Sequence, residues 1–97
     1  MRHFFRTQLT QDEVLRRADS FFPEIEMERA GHTARSRTFS GPLGTLKLSV
    51  KAEGGHYTFV EVDTDQMGES RLDRNAKRFF VDLHRAAEPT HRIAAAY

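Results

Sequence analysis

The sequence contains no cysteine. Disulfides, zinc thiolates, iron–sulfur clusters and thiol nucleophiles are therefore excluded. Small secreted domains commonly rely on disulfide staples, so the reducing cytoplasm is the expected compartment. Long hydrophobic runs are also missing. No stretch approaches the roughly 20 apolar residues that span a bilayer, and no membrane partner is expected. The opening MRHFFRTQL has neither an apolar central region nor a small-residue cleavage site, so it does not read as a signal peptide. A charge excess of one sign is absent as well. With 15 basic and 14 acidic residues the net charge is +1. That total lends no support to nucleic acid as a partner, although local clustering still counts.

What is present suits a folded domain. The 97 residues are 38% apolar and 30% charged, with eight phenylalanines. A chain of this length fits a single domain, assigned to residues 1–88, and buries roughly 60–65% of its unfolded surface. Residues 89–97, which begin at a proline and lack an amphipathic pattern, are expected to form a flexible tail.

The elements follow from periodicity. RHFFRTQL (2–9) alternates in part and reads as a strand. TQDEVLRRADSFF (10–22) reads as a helix, with Thr10 and Glu13 at capping-box spacing and an apolar stripe of Val14, Leu15, Ala18, Phe21 and Phe22. Pro23 ends it and biases Phe22 towards an extended conformation. EIEMERA (24–30) alternates as a strand, Gly31-His32 reads as a turn, and TARSRTFS (33–40) as a polar strand. GPLG (41–44) is a tight turn. TLKLSVKA (45–52) is a strand with Leu46, Leu48 and Val50 on one face, and EGG marks a hairpin into HYTFVEVDT (56–64). SRLDRNAKRFFVDLHRAA (70–87) is an amphipathic helix with Ser70 as cap and Asp73 at its third position. The order is β-α-β-β-β-β-α. Short turns imply an antiparallel meander covered on one face by two helices, an α+β two-layer sandwich.

Two stretches carry a family likeness. LRRADSFFPEIE takes a helix through a proline-marked turn into a strand, and SRLDRNAKRFFVDLHRAA closes the chain as a gripping helix. In this the chain resembles, in reduced form, the helix-grip family of START-like and Bet v 1-like lipid-binding and polyketide-cyclase domains. The order is also similar to that of a single TATA-binding-protein-like repeat. Complete helix-grip domains have more strands and a further helix around their cavity. The resemblance implies a small apolar or amphipathic ligand held between the sheet and the last helix. On that reading the lining residues are Leu46, Leu48, Val50, Val60, Val62, Phe79, Phe80 and Leu83.

Other constellations give less. Asp63, Asp65 and Gly68 match positions 1, 3 and 6 of a calcium loop, but Met67 and Arg74 occupy positions 5 and 12, where oxygen ligands belong. The five histidines show no metal-ligand spacing, so neither metal nor cofactor is implied. Arg35 and Arg37, spaced by two beside Phe39, form a candidate anion site. Arg71, Arg74, Arg78 and Arg85 make a basic ridge on the last helix that suits a nucleic-acid backbone. Against nucleic acid, the outer strands lack the clustered aromatics of an RNA-binding sheet. No nucleophile elbow or phosphate loop is present, so the sequence favours binding over catalysis. The alternative to a ligand-binding domain is a structural or protein-interaction module acting as a homodimer, with Tyr57, Phe59 and Phe39 at the interface. A second alternative is nucleic-acid or anion binding through Arg35 and Arg37 or the basic ridge.

Overall fold

Alternation in TLKLSVKA produces the strand on which the sheet is centred. In a computed structural model, which describes residues 1–87, the chain forms β1 (Arg2–Thr7), α1 (Gln11–Phe21), a 3-10 turn (Phe22–Ile25), β2 (Glu28–Thr33), β3 (Ser36–Gly41), β4 (Gly44–Glu53), β5 (Tyr57–Thr64) and α2 (Arg71–Ala87). All strand pairs are antiparallel and their order is β1-β5-β4-β3-β2. The meander runs β2 to β5, and β1 closes on its far side beside β5. This is the two-layer α+β sandwich, with both helices on one face. The segment expected as a tail lies outside the described residues.

Period two sorts the residues of β4 and β5 between two environments. Leu46, Leu48, Val60 and Val62 have no exposed surface, and neither do Phe79 and Leu83 on α2. Rings knit the layers together. Phe22 lies 4.9 Å from Phe39 and 5.2 Å from Phe79, and Phe5 stacks on Phe80 at 5.1 Å. Fully burying one such side chain contributes about 1.5–3 kcal/mol.

Both helices start where local chemistry directs. Thr10 accepts a hydrogen bond from the Glu13 amide, and Ser70 accepts one from the Asp73 amide at 3.0 Å. Each side chain satisfies a backbone donor left over in the first turn.

The sequence expectation fails between residues 22 and 35. Phe22 is helical, not extended, because Pro23 enters the first turn of a 3-10 helix, where a missing amide costs nothing. Glu26 then takes a left-handed conformation at φ 65°, and the strand begins only at Glu28. Gly31 and His32 are strand residues beside a bulge, and the turn falls at Ala34-Arg35. The I-E-M alternation thus came from a tight turn that buries Met27 and half-buries Ile25.

Candidate functional site

The eight residues named as a ligand lining all sit in the core between sheet and helices. The most exposed of them, Phe80, shows 8% of its surface. The principal clefts lie elsewhere. One runs between α1 and α2 beside Arg17 and Asp82, and another lies beside Pro42, Leu43 and Arg71. None is lined by any of the eight residues.

Arg35 and Arg37 share no strand face. Arg35 sits in the β2–β3 turn and donates to Gln11 Oε1 at 2.8 Å. Arg37 faces the helices. Its Nε lies 3.2 Å from both oxygens of Asp19, and its Nη1 donates to the carbonyls of Thr33 and Ser36. The anion that Arg37 holds is therefore the protein's own Asp19. Arg29 adds a second cation to that carboxylate at 3.6 Å.

The calcium-loop acids are occupied in the same way. Asp63 pairs with Arg2 at 3.0 Å. Asp65 Oδ1 accepts from the Thr45 amide and from the Gln66 side chain, and these bonds hold its carboxyl below the usual range. Among the described residues no cluster of three or more acidic or histidine side chains is arranged to hold a metal.

Asp73 anchors a buried polar cluster. It accepts from His3 Nε2 at 2.7 Å, Thr64 Oγ1 at 2.9 Å and Ser70 Oγ at 2.6 Å. Burial pushes its pKa up, but the bonds from Ser70, His3 and Thr64 outweigh this, and the net direction is down. The carboxylate carries no proton, so His3 Nε2 is the donor. Ser70 bonds the carboxylate and not the imidazole, so no nucleophile–base pair exists here. The cluster ties β1, β5 and α2 together.

The distinctive surface is the face of the sheet that no helix covers. Register sets its pattern. Arg6, Phe59 and Lys51 form one cross-strand row over β1, β5 and β4. Phe4, Glu61 and Ser49 form the next, and Arg2, Asp63 and Lys47 a third. Phe4 and Phe59 meet diagonally with ring centroids 5.4 Å apart. The Arg6 guanidinium lies 5.3 Å from the Phe59 centroid, and Lys51 Nζ lies 5.2 Å from it. Phe4 is 52% exposed and Tyr57 46%. Two acids restrain the cations: Arg6 donates to Glu53 at 2.6 Å, and the bond from Arg2 to Asp63 raises the pKa of Arg2. The other half of this face is small and hydroxyl-rich. There β3 and β2 present Ser36, Thr38, Ser40, Gly31 and Thr33, with the single charge of Glu28 beside Ser40.

The sequence expectation that the outer strands lack clustered aromatics is corrected by Phe4 and Phe59. Their meeting depends on β1 pairing with β5, more than fifty residues away. The parity of Phe4, opposite to the buried side of β1, was the available signal. Phe39 is corrected in the other direction. It was expected beside Tyr57 and Phe59 at an interface, but it is fully buried on the helix side.

No protein-family model matches this chain, and no curated protein matches it. Among the described residues no helix is long and apolar enough to cross a membrane.

Proposed function

We propose that this chain is a protein-interaction module that self-associates through the helix-free face of its sheet. The observation that carries this reading is the exposed Phe4 packed on the half-buried Phe59, flanked by Arg6 and Lys51. Exposed aromatics beside arginine are the composition of interface hot spots.

The face is self-complementary in size. A two-fold axis along β4 lays the bulky half of one copy, on β1 and β5, over the small half of the other, on β3 and β2. It sets the charges of β1 and β5 against the hydroxyls and Glu28 of β3 and β2, with β4, Lys47 and Lys51 included, facing its own copy. Five strands at about 4.8 Å spacing and eight residues at about 3.3 Å rise give a face of roughly 600 Å². Side-chain relief brings this towards the roughly 800 Å² per partner of a specific interface.

A ligand between sheet and α2 remains the reading that the helix-grip resemblance supplies. The filled core favours the surface instead. The cytoplasm belongs to the proposal on composition alone. Sedimentation velocity over a concentration series tests it, on the wild type and on Phe4→Ser/Phe59→Ser. The wild type should move from monomer to dimer as concentration rises, and the variant should stay monomeric. A wild-type monomer throughout, with a melting temperature raised by lipid, would return the function to the core.

A further inference from the structure

The arginines of this protein divide sharply by partner. Among the described residues Arg2, Arg6, Arg16, Arg17, Arg29 and Arg37 each pair with a carboxylate, and Arg35 binds Gln11. On α2 the pattern reverses. Arg71, Arg74, Lys77 and Arg85 are exposed and pair with no carboxylate among the described residues. Arg78 bonds only the neutral Asn75 and lies over the Phe21 ring. Of the two acids of the helix, Asp73 is inside the buried cluster, while Asp82 lies half exposed on the flank of the stripe, 3.9 Å from Arg17. Glu24 and Glu26 share a cleft with Arg71 and Arg78 but form no ion pair with them.

We infer that this arginine stripe is a docking surface for the phosphate backbone of duplex nucleic acid. At about 100° per residue, Arg71, Arg74, Arg78 and Arg85 fall within about 60° of arc, opposite the buried face. At about 1.5 Å per residue they extend over roughly 21 Å, equal to the rise of some six phosphates of one strand along the duplex axis. Guanidinium forks match phosphate geometry better than ammonium groups do, and four of the five cations are arginine. An acidic protein surface is a poorer fit to a straight row of like charges. A bilayer is poorer still, because the apolar residues that would insert, including Leu72, Phe79 and Leu83, are already buried against the sheet. The stripe lies on the side of the molecule away from the sheet face, so a dimer formed through that face leaves it free. It does not depend on such a dimer.

Fluorescence anisotropy of a labelled 20-base-pair duplex, titrated with the whole chain at several salt concentrations, tests the inference. With three to four phosphates neutralised, log K should fall against log salt with a slope of about −3 to −4. Affinity then drops roughly 100-fold between 50 and 200 mM salt. The triple variant Arg71→Gln/Arg74→Gln/Arg85→Gln removes only exposed side chains that pair with no carboxylate among the described residues. It should melt as the wild type does and bring the slope to about −1 or weaker. The matching triple lysine variant should keep most of the slope, and Arg2→Gln/Arg6→Gln on the sheet face should leave binding unchanged. No binding at low salt overturns the inference. So does full binding by the triple glutamine variant, or binding lost on Arg2→Gln/Arg6→Gln. Capture by phosphatidylserine vesicles without duplex binding would assign the stripe to membranes and overturn it as well.

Discussion

His3 Nε2 donates to Asp73 Oδ1 across 2.7 Å, joining the first strand to the last helix over seventy residues of chain. Asp73 is 1% exposed, and Thr64 and Ser70 complete its shell. Asp73→Asn keeps the volume but sets an amide against donors that need an ionised acceptor. It should cost about 1–3 kcal/mol, read from urea denaturation. A variant as stable as the wild type would mean that the cluster is not what fastens α2 to β1.

The same carboxylate gives stability a pH signature. Its folded pKa is lowered from 3.8, with burial opposing the shift and the bonds from Ser70, His3 and Thr64 prevailing. A depressed folded pKa means that the unfolded state binds the proton more tightly. The contribution is therefore fully present above the unfolded value and is lost as pH falls through the folded one. Wild type and Asp73→Asn should differ most above the unfolded carboxyl's 3.8 and converge only as pH falls through the lower folded value. Parallel stability curves down to acid would contradict this.

Gly44 begins β4 at φ 128°, outside the region other residues adopt freely. A Cβ there would lie 2.5 Å from Asp65 Oδ1, the oxygen that holds the Thr45 amide. Gly44→Ala should therefore destabilise by about 1–3 kcal/mol, through backbone strain and displacement of Asp65. Thermal melting checks it, and an unchanged melting temperature would show that the turn relaxes at no cost.

Much of the architecture could be read from residue patterns, because each element carries its own punctuation. The Thr10 and Ser70 caps, the alternation of Leu46, Leu48 and Val50, and the apolar spacing on α2 are local signals, and the elements formed where they point. The segment 22–35 misled because its pattern is also local but comes from a 3-10 turn and a left-handed Glu26. The candidate surfaces were harder to see. Whether Arg37 is available depends on Asp19 lying across the layer, and Phe4 meets Phe59 only through β1–β5 pairing. Contacts between distant segments leave no periodicity for a reader of one chain. The arginine ridge of α2 was visible, but its lack of carboxylate partners was not.

On the proposed function, copies of the chain meet through the helix-free face of the sheet. Backbone amide NMR spectra recorded over a dilution series test it most directly, since they report association and its location together. Concentration-dependent shifts are expected at Phe4, Tyr57, Phe59 and Lys51 and across Ser36–Ser40, with Leu72, Phe79 and Leu83 unmoved. Shifts confined to α2, or spectra that do not change with concentration, would contradict it.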